Sequence, residues 1–344
     1  MKKVSISKPG GYEQLHIVEV SDPTPADDSV LVEVAYAGVN YADCLVRWGV
    51  YESAKQLVGW PITPGFEVSG RVKKVGPKVK SFREGDQVVA FSFFNGYASH
   101  VAVPEGQVML LPNGFSLENG AGFLAVFATA YYALFQIFKL RQGASILVHS
   151  AAGGVGSALI QLAKTLNARI AGVVGSSHKI EYVRSLGVET VIDKSQDKNF
   201  WPNLKREFPD GFDAVYDANG FTTFRQSYKI LRPTGKLVVY GSHNLLPKSG
   251  GHLNYFKAAI GLLRTPRINP LDLITDNKSI IGFNVSFLFS ERETIHENMT
   301  GLRDFNEKGL IKPLKTTVFN FEDVAKAHQL IESGQSVGKI VLKL

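Results

Sequence analysis

Apolar residues fall along this chain in two textures. Up to about residue 118 short apolar runs alternate with Pro, Gly and Asp punctuation, which predicts strands over 15–20, 30–37, 67–75, 87–91 and 100–103. Turns this frequent predict a barrel or sandwich-like unit. From about residue 124 the pattern changes. Short apolar strands over 146–149, 170–174, 190–192, 214–216 and 237–240 are separated by helical patterns over 156–166, 178–186 and 223–231 and a polar stretch around 201–208. That alternation predicts βαβ units wound into a parallel sheet. A further strand over 280–285 and a helical pattern lead to a terminal strand over 339–342.

Two segments depart from this rhythm. Residues 119–138 carry no charged side chain, a length that could span a bilayer. They also contain Asn119, Thr129, Tyr131, Tyr132 and Gln136 and run directly into Lys139 and Arg141, so a buried helical segment is expected instead. Residues 244–278 are apolar and basic, with Phe256, Ile260, Leu263, Arg264 and Arg267, and Asp272 is the only acid between Asp217 and Asp276. This segment suits a fold over the sheet edge, a subunit contact, or peripheral attachment to a membrane surface.

A chain of 344 residues is long enough for two cores, and 44% hydrophobic with 20% charged residues excludes wholesale disorder. The formal charge of +7 favours anionic partners such as nucleotides. A nucleic-acid partner has only this charge behind it, because no recognised nucleic-acid motif accompanies it. The single cysteine, Cys44, allows no internal disulfide and no four-cysteine metal lobe, which fits a reducing, cytoplasmic compartment. The first residues contain no apolar run of signal-peptide length.

The strongest chemical signal follows the strand over 146–149. Ser150-Ala151-Ala152-Gly153-Gly154-Val155-Gly156 leads into a helix, with Ala151, Gly153 and Gly156 at Gly-x-Gly-x-x-Gly spacing. Glycines there let the backbone approach a pyrophosphate while the helix N-terminus offers free N–H groups. NAD-selective sites place an acid about 20 residues on. Here no Asp or Glu occurs from Asn119 through Ile180, and Ser176, Ser177, His178 and Lys179 follow the second strand, with Lys194 after the third. NADPH is therefore the expected dinucleotide.

Ala37-Gly38-Val39-Asn40-Tyr41-Ala42-Asp43, Pro64-Gly65-Phe66-Glu67-Val68-Ser69-Gly70, Gly85-Asp86-Gln87-Val88 and the glycine loop resemble the quinone oxidoreductase branch of the medium-chain dehydrogenase/reductases. Tyr240-Gly241-Ser242 with Asn244-Leu245-Leu246, and Ile281-Gly282-Phe283, resemble more narrowly the vesicle amine transport protein homologues within it. The resemblance covers essentially the whole chain. It implies a chaperonin-10-like β-barrel substrate domain (1–123 and 286–344) and a Rossmann NADPH domain (124–285), with a cleft between them, and it favours a homodimer.

The resemblance also bears on metal. Zinc-dependent cousins have a cysteine where Asn40 stands and a histidine where Phe66 stands, and neither Asn nor Phe offers the thiolate or imidazole that zinc prefers. No metal is expected. Charge that develops on a substrate oxygen must then be met by hydrogen-bond donors. The resemblance places Asn40 beside the nicotinamide as a positioning amide and Tyr51 as a donor, although an Asn ending a strand also forms turns and a Tyr also packs. It further implies cofactor contacts from Thr129, Ala152, Gly153, Gly154, Val155, Ser176, Lys179, Lys194, Asn219, Gly241, Ser242, Phe283 and Asn284. Asp43 and Arg47, four apart, are expected to form a structural ion pair.

Two functions follow. One is an NADPH-dependent reductase of quinones or α,β-unsaturated carbonyls. The other is an NADPH-binding protein with little turnover, in which 244–278 engages lipid or another protein.

Overall fold

The computed structural model describes residues 1–243, 259–261, 263, 265 and 267–344. They form two compact units, residues 1–129 with 285–344, and residues 130–243 with the described part of 259–284. Much of the basic apolar segment 244–278, including Phe256 and Arg264, lies outside the described residues.

The first unit starts with an antiparallel ribbon of β1 (Lys2–Ser5) and β2 (His16–Glu19). β3 (Ser29–Val39) organises the sheet that follows, with β4 (Glu67–Val75) along one edge. β5 (Gln87–Phe91) pairs with β4, β6 (His100–Pro104) covers the first half of the other edge of β3, and β7 (Val108–Leu110) joins β5. Val30, Val32, Val68, Val72, Val88, Val101 and Val103 fill the core. Such β-branched residues suit a pleated, buried surface, and each contributes about 1.5–3 kcal/mol on full burial.

Two short helices, α1 (Tyr41–Arg47) and α2 (Glu52–Leu57), follow β3. The uncharged stretch 119–138 folds as α3 (Leu117–Gly120), capped by Ser116, then α4 (Leu124–Tyr131) and a π-helical turn, Tyr132–Gln136. Phe123, Leu124, Phe127 and Leu134 in it are buried. No helix among the described residues is long and apolar enough to cross a membrane.

The second unit is a six-stranded parallel sheet: β8 (Ser145–His149), β9 (Arg169–Val174), β10 (Thr190–Asp193), β11 (Phe212–Asp217), β12 (Leu231–Val239) and β13 (Ser279–Gly282). Their order is β10-β9-β8-β11-β12-β13. The direction of winding therefore reverses between β8 and β11, and open α/β sheets bind ligands beyond the carboxyl ends of the strands at such a point. α5 (Gly154–Lys164), α6 (Ile180–Ser185), α7 (Trp201–Glu207) and α8 (Phe224–Lys229) connect the strands, and α9 (Pro270–Asp276) precedes β13.

The chain then returns to the first unit through α10 (Arg292–Glu307), β14 (Thr316–Asn320), α11 (Val324–Glu332) and β15 (Lys339–Lys343). β15 pairs antiparallel with the second half of β3, from Ile340 opposite Val39 to Lys343 opposite Tyr36. This pairing places Lys339 beside the residues that end β3.

Candidate functional site

The parallel sheet brings the carboxyl ends of its strands to one edge, and most of the predicted cofactor residues stand there. After β8, Ser150 adopts a φ of +53°, unusual for a residue with a side chain, and its hydroxyl donates to Asn219 Oδ1 at 3.1 Å. This bond crosses from β8 to β11 at the point where the winding reverses. Gly153 is the N-cap of α5, so Gly154 and Val155 form the helix's first turn, while Ala152 is buried. A Cβ on Gly156 would lie 2.4 Å from Ser150 O and 2.9 Å from Ala151 Cα, and one on Gly153 would lie 3.2 Å from Ser150 O. The loop thus closes tightly onto itself at Gly156.

Asp217, at the end of β11, anchors the opposite wall. Its carboxylate accepts from the Asn219 backbone N–H (2.8 Å), Thr223 Oγ1 (3.0 Å) and Ser227 Oγ (2.8 Å). Asn219 is 3% exposed, and its side-chain nitrogen has no hydrogen-bond partner. Ser176 Oγ, beyond β9, is likewise buried and unpartnered. A buried donor left unused is costly, and both atoms flank the glycine loop's edge of the sheet.

Lys179 ends a short 3-10 turn, Ser177–Lys179, and is buried. Burial, and then repulsion from Lys194, lower its pKa to about 8. Lys194 follows β10, its backbone N–H bonded to Val174 O and its side chain passing Gly175. Gly241 and Ser242 follow β12 and pack on Ala218 and on Gly220, whose φ is +108°. Phe283 lies beyond β13, stacked against Tyr240 with ring centroids 6.2 Å apart, and Asn284 comes next in the chain. Glycines where backbone must approach, a free helix N-terminus, spare buried donors and two mutually repelling ammonium groups together fit a phosphorylated dinucleotide.

The first unit holds the other candidates. Asn40 directly follows β3 and is the N-cap of α1. Its Nδ2 donates to Glu67 Oε1 at 2.9 Å, and its Oδ1 accepts from Lys339 Nζ at 2.8 Å. Tyr51 is the N-cap of α2, its ring 5.7 Å from that of Phe66 in an edge-on contact. Phe66 in turn touches Phe94, Phe94 touches Phe93, and Phe93 touches Phe289. Thr129 hydrogen-bonds its own helix, Oγ1 to Ala125 O at 2.6 Å.

The expected Asp43–Arg47 pair does not form. Asp43 instead accepts from the Asn40 N–H, the Gly65 N–H and Tyr97 Oη, and its burial lifts its pKa to about 6. Arg47, fully buried, pairs with Glu332 at 2.6 Å and contacts His328 Nδ1 at 3.0 Å. A carboxylate 285 residues away in sequence displaced the local partner, because α11 packs against α1 and brings Glu332 to the guanidinium.

Among the described residues one group of three could converge on a metal ion, Cys44 with His328 and Glu332. Arg47 is already bonded to two of them, and its fixed positive charge opposes a cation there. Asn40 and Phe66, at the positions of the zinc ligands in metal-dependent cousins, present a carboxamide and a phenyl ring.

Sequence reasoning did not single out Lys339, Asp217 or Ser150. Lys339 was legible only as the start of the terminal strand, and nothing local ties it to Asn40. Asp217 directly follows the strand predicted over 214–216, where an acid is a common turn residue.

The chain belongs to the medium-chain dehydrogenase/reductase family, in its zinc-independent quinone oxidoreductase branch and close to the VAT-1 homologues. The family model described as alcohol dehydrogenase GroES-like domain matches residues 26–134, and that described as zinc-binding dehydrogenase matches 154–300. The synaptic vesicle membrane protein VAT-1 homolog of Danio rerio is 34% identical over 97% of this chain and 68% of its own length. The quinone oxidoreductase of Homo sapiens is 29% identical over 100% of this chain and 98% of its own. Among solved structures, the Escherichia coli quinone oxidoreductase complexed with NADPH has a TM-score of 0.84 at 26% identity, with 100% of both chains covered.

Proposed function

We propose that this protein is an NADPH-dependent, zinc-independent oxidoreductase that reduces quinones or α,β-unsaturated carbonyls. The observation that carries the reading is the glycine loop at the winding reversal, closed at Gly156 and flanked by the unpartnered donors Asn219 Nδ2 and Ser176 Oγ. Bound NADPH would supply the hydride. The loop backbone and the N-terminus of α5 would hold its pyrophosphate, and Lys179 and Lys194 its 2′-phosphate. Asn40 would act as a positioning amide and Tyr51 as a donor to the acceptor oxygen. The rings of Phe66, Phe94, Phe93 and Phe289 suit a planar, apolar acceptor.

One cysteine in 344 residues supports a reducing compartment such as the cytoplasm. A homodimer is supported by β13, which lies at the edge of the parallel sheet among the described residues, and by exposed Leu271 and Ile274 on the adjoining α9.

The test is a titration of the purified protein with NADPH, followed by the loss of nicotinamide absorbance over a panel of quinones and enones. Sustained oxidation is the expected result. Tight NADPH binding with no turnover would favour the non-enzymatic alternative, which the vesicle-membrane name of the VAT-1 relatives keeps in view.

A further inference from the structure

The Asn40 carboxamide is held between two buried groups of opposite charge. Lys339 Nζ donates to Asn40 Oδ1 (2.8 Å), Glu67 Oε1 (2.8 Å) and Val39 O (3.0 Å), which uses all three ammonium hydrogens. Glu67 Oε1 also accepts from Asn40 Nδ2, and its other oxygen accepts from the Ala125 N–H at 2.9 Å. Glu67 is 1% exposed and Lys339 3%, whereas Asn40 is only partly buried.

Both holders pass close against glycines. A Cβ on Gly38 would lie 2.6 Å from Glu67 Cγ, and one on Gly122 would lie 3.0 Å from Lys339 Cβ and Cγ. A carboxylate only accepts and an ammonium only donates, so the carboxamide cannot reverse without breaking both bonds. Its oxygen is committed to Lys339, and one of the two Nδ2 hydrogens to Glu67. The second Nδ2 hydrogen is used by neither of these bonds.

We infer that Glu67 and Lys339 are positioning residues that lock Asn40 as a hydrogen-bond donor, with its carbonyl turned away from the ligand. The inference rests on the proposed reductase function, in which a donor at this position meets the oxygen where charge develops. The Lys339 charge at Oδ1 also polarises the amide and strengthens its remaining N–H.

The test uses the full-length protein with NADPH bound. Lys339→Met frees Asn40 Oδ1, and the combined Glu67→Gln/Lys339→Met variant removes both charges, so that no lone charge stays buried. Each is expected to lower kcat about tenfold or more with KM for NADPH within about twofold, because misplacing one group costs rate rather than ground-state binding. In an Asn40→Ala background the same changes are expected to lower kcat less than about twofold. Equal losses in both backgrounds would show a general structural role and overturn the inference.

A second readout needs no turnover. In protein labelled with nitrogen-15 at asparagine, the Asn40 side-chain signals are those lost in Asn40→Ala. Their two protons are expected to be widely separated, one of them bonded to Glu67, and to converge in the combined variant. An unchanged pair would overturn the inference whether or not any acceptor is reduced. Lack of turnover in the unmodified protein would count against the proposed function alone.

Discussion

Lys194 lies close enough to Lys179 to disfavour its charge, and Lys179 bears this while buried. Its folded pKa of about 8 is below the ordinary lysine value of 10.5, so between these limits the folded protein binds fewer protons than the unfolded chain. The contribution of this group to the stability of the nucleotide-free protein therefore rises as pH rises from about 8 toward 10.5.

A phosphate placed beside Lys179 reverses that balance, because it favours the ammonium. NADPH affinity is expected to be greatest below pH 8 and to fall as pH rises through the free-state value, with proton uptake on binding; NADH should show neither effect. Calorimetric titrations in buffers of different ionisation heat measure that proton directly. Lys179→Met should weaken NADPH roughly tenfold or more through loss of a charge-assisted hydrogen bond, leave NADH nearly unchanged, and raise the melting temperature of the nucleotide-free protein. Equal weakening of both cofactors would refute the assignment.

The two loop glycines should respond differently to the same change. Gly156→Ala drives a methyl group against backbone atoms of Ser150 and Ala151, an overpacking expected to cost about 1–3 kcal/mol or more. Gly153→Ala meets only the Ser150 carbonyl, at 3.2 Å, and should fold while losing nucleotide affinity. Urea unfolding and NADPH titration of both variants check this ordering, and a Gly153→Ala protein less stable than Gly156→Ala would contradict it.

Arg47→Met would leave the Glu332 carboxylate buried and without its cation, with Tyr12 Oη bonded to it at 2.5 Å and the Cys44 thiol as a weak neighbouring donor. Breaking such a pair by removing one partner typically costs about 3–5 kcal/mol. Adding Glu332→Leu should recover much of that loss, since a neutral, apolar pair of similar volume avoids the lone charge. Chemical denaturation of the two single variants and the double variant gives the coupling. Strictly additive losses would mean that the two residues act independently.

The parallel strands were the most legible part of the fold. β8, β9 and β10 lie within about a residue of their predicted bounds; β8 and β9 are buried almost throughout and read as apolar runs, while the edge strand β10, only partly buried, is marked by Val191 and Ile192. β12 starts at Leu231, six residues before the strand predicted from 237, because Arg232, Pro233, Thr234 and Gly235 hide it. β1, β7 and β14 escaped notice: they are short, and two of them are largely polar. In the site, the glycine loop was legible because its chemistry is contiguous in sequence. The Lys339–Asn40 bond was not, for it joins residues 299 positions apart and no spacing rule spans that distance. The Asp43–Arg47 expectation failed for the same reason in reverse, a local rule yielding to a contact made only when α11 docks.

Cys44, the only thiol in the chain, is fully buried, and burial followed by the neighbouring Glu332 charge lifts its pKa well above the usual thiol range. Soft electrophiles react with thiolates, and this one is kept protonated and out of reach. Quinones and enones are themselves alkylating agents. Under the proposed function such acceptors meet no reactive sulfhydryl in the folded protein, and covalent labelling of Cys44 becomes a readout of unfolding rather than of exposure to them.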